Sequence, residues 1–379
     1  MTLQGPVLLT GATGFIGGFL AAELLRRGVR VVAPVRSVGG RSPDERAAGL
    51  LRFFDLPRDA PLEVFEGDVE LPNLGMDGPT SRRLRRQIGS VLHCAANTSF
   101  AARKADEVQR VNARGAEHVF RAVGDADSFW HMSTAYAVGA GPGLHQEELR
   151  SATSFNNLYE RTKNQAELRL AELCDRAGTV LKVFRPSIVY GDSRTGRCLS
   201  FKGLYYPVRT LLFLRNSMVR DVRKHGGARA AKLGVELEKD GSVSMPLLFP
   251  GGGSINLIPV DHLVRSVLEI GAADISGVFH IVSPEPLSVS VLLDYIESCF
   301  DIRGIEVADD YRDHNGALQK LVNGYMELYY PYFCDRRRFD DTRARSVLSS
   351  AGLSCPPLNL PAFRRCMEYA VSRGWSTPL

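Results

Sequence analysis

The run Thr10-Gly11-Ala12-Thr13-Gly14-Phe15-Ile16-Gly17 restricts this chain more than any other feature of its sequence. It joins an apolar stretch, Val7–Thr10, that reads as a strand to a stretch, Phe15–Arg27, whose apolar residues recur at helical spacing. Each glycine answers a steric demand at that junction. Gly11 permits a tight turn, Gly14 lets backbone approach a pyrophosphate, and Gly17 lets helix pack close to strand. The helix N-terminus then offers its free amides to phosphate. A Gly-x-x-Gly-x-x-Gly pattern is weak in isolation. At the first strand-to-helix turn of an alternating chain it predicts a dinucleotide cradle, with Thr13, Phe15 and Ile16 completing its surface.

The alternation continues. Arg30–Val35, Leu62–Glu66, Ser90–Cys94, Ser128–Met132 and Val180–Phe184 read as strands separated by helical patterns. Such a chain predicts an α/β fold, a Rossmann-type doubly wound parallel sheet with helices on both faces. Around Pro186 the rhythm weakens, and residues 193–250 are rich in Gly, Arg and turn residues, with one amphipathic stretch near Val208–Val222. After Gly251–Gly253 a strand-like run, Ile255–Val260, and a helix from Asp261 return, with further helical patterns at Ser288–Cys299 and Pro361–Ser372. The expected division is a cofactor-binding domain over residues 1–190, with a contribution from about 251–282. Residues 191–250 and 283–379 then form a smaller, mainly helical lobe that binds substrate at the carboxyl ends of the strands.

The charged residues around this frame favour NADPH. An NAD-binding domain usually ends its second strand near an acidic residue that holds the ribose hydroxyls; here the strand runs into Arg36, which suits a 2′-phosphate. Arg46, near the start of the next helix, reads either as a second phosphate partner or as a solvent-facing arginine. Asp68-Val69 follow the third strand, where Asp68 is placed to accept from an adenine amino group. Tyr159 and Lys163 stand four apart, on one face of a helix, so an ammonium beside the phenol would lower its pKa and could also hold the nicotinamide ribose. Met132-Ser133-Thr134 closes the predicted strand before them, and Thr134 would offer a hydroxyl to the reacting oxygen.

These motifs resemble the extended short-chain dehydrogenase/reductase superfamily, in order and spacing over about residues 5–190. The resemblance also rests on His93-Cys94-Ala95-Ala96-Asn97, Asn112 and Arg185-Pro186, and extends through Ile258–His262 and Val278–His280. It implies cofactor contacts at Ala95, Ala96, Asn97, Asn112, Pro186, Ser187 and Val189, beside Tyr159 and Lys163. Within the superfamily, His131–Gly139 and Arg185–Gly196 resemble the thioester reductase and fatty acyl-CoA reductase branch. That branch implies NADPH-dependent reduction of an acyl thioester, on coenzyme A or on a carrier protein supplied in trans, to aldehyde or alcohol. Counted back from Gly139, Thr134 takes the catalytic hydroxyl's place, with Ser133 adjacent. Dehydratases of the superfamily carry Asp-Glu after that threonine, whereas this chain has Ala135-Tyr136. A sugar-nucleotide epimerase needs no such pair and stays as the alternative enzyme; a non-catalytic NADP-binding scaffold stays as the alternative class. Leu204–Leu214 reads either as acyl-channel lining or as core.

Composition bounds the partners. A net charge of +5 is mild, and the basic clusters Arg82–Arg86 and Arg209–Lys232 read as solvated helix faces or as a surface for an acidic partner. Their arginines are not interleaved with aromatics, which argues against nucleic acid. No run of about 18 apolar residues suits membrane insertion, and a strand-like start leaves no room for a signal peptide. Seven scattered cysteines form no Cys-x-x-Cys pair, so neither zinc nor a disulfide framework is expected, and a cytoplasmic setting fits. Oligomeric state stays open.

Overall fold

The computed structural model describes residues 5–123, 126–309, 311 and 316–377. Seven strands form one wholly parallel sheet: β1 (Val7–Thr10), β2 (Val31–Val35), β3 (Leu62–Glu66), β4 (Ser90–His93), β5 (Ser128–Met132), β6 (Val180–Pro186) and β7 (Gly277–Ile281). Their spatial order is β7-β6-β5-β4-β1-β2-β3. Every residue of β1, β2, β4 and β5 is buried, as strands covered by helices on both faces must be. The order reverses between β1 and β4, and the crevice at the carboxyl ends of those strands is where such sheets take ligands.

The second lobe has its own core. Tyr205, Met245, Phe249, Leu293 and Phe363 pack together there, contributed by helices Tyr205–His225, Val289–Phe300 and Leu360–Ser372 and by a small sheet. In that sheet Val243–Phe249 pairs in parallel with Ile302–Val307 and antiparallel with Glu236–Leu237. The sequence reading left residues 193–250 irregular apart from one helix. Burial in Val243–Phe249 nevertheless alternates strictly, with Val243, Met245, Leu247 and Phe249 inward. The outward Pro246 hid that period, because proline within a run argues against a strand. A two-stranded bridge, Leu257–Pro259 beside Ile188–Tyr190, connects the lobe to the end of β6.

A buried ion pair locks the long helix Leu158–Ala177 onto the sheet. Glu167 is wholly buried and receives Arg185 of β6 through Nε at 2.9 Å and a second nitrogen at 2.6 Å. The Ser133 hydroxyl at the end of β5 donates to the same carboxylate, and His280 of β7 lies 3.3 Å from the arginine. Removing one member of such a pair strands an uncompensated charge. Glu167→Ala is therefore expected to cost about 3–5 kcal/mol, read as a lowered denaturant midpoint. A loss below about 1 kcal/mol would contradict this role.

Candidate active site

The glycine cradle is dictated by contact distances. Gly11 has φ +71°, and a Cβ there would lie 2.8 Å from the Ala95 amide nitrogen. A Cβ on Gly17 would lie 2.2 Å from the Gly11 carbonyl oxygen, so the close approach that demands this glycine is to the turn itself. Gly14 caps helix Phe15–Arg26 without a side chain, which leaves the first amides facing the crevice. Thr10 holds the facing loop by accepting the Ala95 amide at 3.2 Å, and its hydroxyl meets His93 Nδ1 at 2.7 Å.

A cleft with a cavity of about 590 Å³ runs from this cradle into the second lobe. Gly11, Thr13, Gly14, Phe15, Ile16, Gly17, Arg36, Arg46, Asp68, Val69, Ala95, Ala96, Thr134, Tyr159, Lys163, Pro186, Ser187 and Val189 all line it. Asn97 and Asn112, expected to touch the cofactor, are not in its wall. Asn112 is fully buried; it accepts from the Asn97 amide at 2.8 Å and donates to the Asn97 carbonyl and the Thr162 hydroxyl, each at 3.0 Å. Its polar groups are used up in bracing the loop against the long helix. Of the two readings of Leu204–Leu214, core holds for most of it: Tyr205, Leu211 and Leu214 are core, Phe213 is 66 % exposed, and only Leu204 and Pro207 of that region's apolar residues reach the cleft.

At the cradle's outer end, Arg46 donates to the Thr13 hydroxyl and to the Arg36 carbonyl, both at 2.7 Å. Burial and the charges of Arg41 and Arg36 hold its pKa below the usual guanidinium value. Arg36 is half-exposed and faces Asp68 and Glu70, each at 3.6 Å. Asp68, expected to meet adenine, thus also serves Arg36 and accepts the Glu70 amide. Arg36 and Arg46 thus both line the outer end of the cleft, with Arg41 near enough for its charge to act on Arg46.

At the inner end, Tyr159, Lys163 and Glu167 lie at i, i+4 and i+8 on helix Leu158–Ala177, so the anchor beneath Glu167 fixes the two above it. Lys163 is 1 % exposed and donates to the Met132 carbonyl at 2.8 Å. Burial lowers its pKa to about 8, against opposing pulls from Cys94 and Glu167. Below it, His93 and His131 stack at 5.3 Å; burial and the Lys163 charge keep both neutral, with His93 lowered to about 3. The expected depression of the Tyr159 pKa by Lys163 is not what the geometry gives. Burial and the Glu160 carboxylate raise the phenol, a hydrogen bond with Thr134 opposes them, and the lysine's proton goes to Met132. Ser133 is turned onto Glu167, which leaves Thr134 beside the phenol.

The sequence reading missed the aromatic wall over Tyr159. Phe100 sits 6.3 Å from its ring, stacks on Tyr332 at 5.6 Å and meets Tyr329 at 5.8 Å; Tyr329 in turn stacks on Tyr206 at 4.8 Å. Glu160, fully buried, accepts the Tyr332 hydroxyl at 2.8 Å and the Asn156 amide at 2.9 Å, with Arg337 at 3.7 Å. Asn157-x-x-Glu160 signals a helix start, and Asn157 does cap it, but the glutamate carboxylate is spent on holding this wall.

The sheet order, the glycine cradle and the cleft define a Rossmann-type dinucleotide-binding fold. A family model described as male sterility protein, an NAD-binding family, matches residues 9–267, and the chain belongs to that family. It is 29 % identical to an isonitrile lipopeptide synthase of Streptomyces coeruleorubidus over 97 % of this chain and 24 % of the synthase. It is 32 % identical to fatty acyl-CoA reductase 1 of Gallus gallus over 35 % of this chain and 28 % of that protein. The chain thus spans about a quarter of the length of each relative. Among solved structures, the terminal R domain from the myxalamid PKS-NRPS biosynthetic pathway superposes with a TM-score of 0.75, covering 100 % of this chain and 93 % of that one at 21 % identity, a likeness of fold. No described helix is long and apolar enough to cross a membrane.

If Lys163 acts as a cation, turnover falls as pH rises through about 8, where the buried ammonium loses its proton. The kcat/KM profile for cofactor oxidation checks this. A profile flat from about pH 7 to about pH 10 would contradict it.

Proposed function

We propose that this chain reduces an acyl thioester with NADPH, using Thr134, Tyr159 and Lys163. The observation that carries the reading is that these three residues share one cleft with the glycine cradle, and that the cleft continues under an aromatic wall into the second lobe. The cradle fits the cofactor, because side chains on Gly11 or Gly17 would fill the space its turn requires. Bound there, the nicotinamide supplies a hydride to the thioester carbonyl carbon. Thr134 and Tyr159 donate hydrogen bonds to the carbonyl oxygen as negative charge builds on it. Tyr159 gives up its proton to that oxygen, and Lys163 compensates the phenolate. The hemithioacetal then collapses, the carbon–sulfur bond breaks, and aldehyde and free thiol leave. A second cycle would carry the aldehyde to alcohol.

Arg46, Arg36 and Thr13 at the outer end of the cradle, with Arg41 adding its charge, support NADPH over NADH. Residues after about 190 serve as the substrate lobe, and the acyl group lies among Leu204, Pro207, Leu257, Leu292 and Phe333, all in the cleft wall. The thioester arrives on coenzyme A or on a carrier protein. The relatives support that reading, one being a lipopeptide synthase and the other an acyl-CoA reductase. The place that a dehydratase fills with Asp-Glu holds Ala135 and Tyr136, both buried in a tight turn, so elimination chemistry lacks its groups.

NADPH consumption with acyl-CoA and carrier-bound acyl groups, coupled to release of free thiol, is the expected result, and Tyr159→Phe should lower kcat by roughly 10²–10⁴-fold. Interconversion of a sugar nucleotide with no net loss of cofactor would overturn the assignment in favour of an epimerase. Arg46→Ala should raise KM for NADPH about tenfold or more while leaving NADH unaffected. An equal change for both cofactors would remove Arg46 from the 2′-phosphate site.

A further inference from the structure

Two histidines beneath the site have no place in the hydride chemistry. His93 and His131 occupy matching positions on the neighbouring strands β4 and β5, both wholly buried, with their rings stacked 5.3 Å apart. The Thr10 hydroxyl meets His93 Nδ1 at 2.7 Å. Its oxygen already accepts the Ala95 amide, so its own proton goes to Nδ1, which places the imidazole proton of His93 on Nε2. That Nε2 and both ring nitrogens of His131 are shielded from solvent and have no hydrogen-bond partner among the described residues. Three polar atoms left unanswered at one buried point are costly, and native interiors answer such groups with ordered water.

The point they share lies under Lys163. Phe129, His131 and Ser133 alternate onto the sheet face covered by helix Leu158–Ala177. Phe129 belongs to one core cluster with Ala166 and Leu170, and Ser133 donates to Glu167, so His131 between them faces the helical stripe that carries Lys163. The ammonium itself is held 2.8 Å from the carbonyl of Met132, the next residue along the strand. One of its three N–H groups is spent on that carbonyl; the side chain also lines the cleft, which leaves a third group for the underside. The other titratable groups around this point do not answer it. Burial pushes the Cys94 thiol up to about 12, so it stays neutral, and Glu167 is taken by Arg185 and Ser133, with His280 behind them.

We propose that His93 and His131 hold a water molecule against the underside of Lys163, and that this water positions the ammonium beside Tyr159. The water accepts from His93 Nε2 and from Lys163 and donates to a bare nitrogen of His131, the three bonds that a buried water usually makes. Between a donor nitrogen, a bare nitrogen and an ammonium the ligand must both accept and donate, which water does and a halide does not. The positioning role rests on the reading of Tyr159 and Lys163 as the reacting pair; the water site does not.

Nuclear magnetic resonance of the chain with isotope-labelled histidine and lysine tests the site without turnover. His93 should carry its proton on Nε2, with magnetisation passing from that proton to a long-lived water. A proton on Nδ1, or no transfer to water, would overturn the proposal, and these wild-type signals decide the site whether or not a variant folds. The Lys163 side chain should titrate at about 8 in the wild type. His131→Phe keeps a ring and removes both nitrogens, so it should lower that midpoint by about one pH unit, because the ammonium loses the acceptor beneath it. His131→Asn should restore most of the shift, and the alkaline limb of kcat/KM should follow the same order. A midpoint unmoved in His131→Phe would overturn the positioning role, as would equal shifts in the Phe and Asn variants. A wild type that shows the water contact and the lysine titration yet reduces no thioester would instead remove the thioester reading.

Discussion

The Glu167–Arg185 ion pair, buried between the long helix and strand β6, is the contact on which the geometry of the site depends. Isolated, either charge would be expensive in that environment; together, with the Ser133 hydroxyl and His280 beside them, they are compensated. Because Tyr159, Lys163 and Glu167 share one helical stripe, fixing the third fixes the height and rotation of the first two against the sheet. The same pair engages the Ser133 hydroxyl, although Ser133 itself is part of the cleft wall. The hydroxyl left beside Tyr159 is therefore that of Thr134.

Above this anchor the site is a sequence of partly compensated charges. Lys163 is buried but answered by a carbonyl, over two histidines held neutral by burial and by its own charge. Burial lowers its pKa to about 8, which suits the role proposed for it, compensation of a phenolate. Glu160, beside Tyr159, is satisfied by the Tyr332 hydroxyl, the Asn156 amide and Arg337, so a carboxylate next to the acid serves as a hinge pin for the aromatic wall. Segment Tyr329–Arg337 of the second lobe is thereby tied to helix Leu158–Ala177 itself. The aromatic wall and Tyr159 are thus held on one frame.

Where residues answer a local demand, they were legible from sequence. Strands β1, β3 and β5 begin and end at the residues their apolar runs indicate, and the cradle follows from Gly11 and Gly17, whose contacts leave no room for a side chain. Pairing over long separations was not legible. Glu160 and Tyr332 are 172 residues apart and Lys202 and Thr98 are 104 apart, and no periodicity connects either pair. Asn112 looked like a ligand residue because its type and position fit one, yet its amide is consumed by the Asn97 backbone and Thr162. In Leu204–Leu214 the apolar stripe was correctly seen, but a stripe does not say whether its neighbour is a substrate or a core. Here it is mostly core.

The central claim is that hydride passes to a thioester carbon inside this cleft. A single turnover with NADPH deuterated at the nicotinamide C4, followed by mass spectrometry of the product, tests it most directly. The account predicts aldehyde carrying one deuterium at the former thioester carbon, formed in step with free thiol. Deuterium that stays on the cofactor, or returns to it while the thioester is intact, would contradict the account.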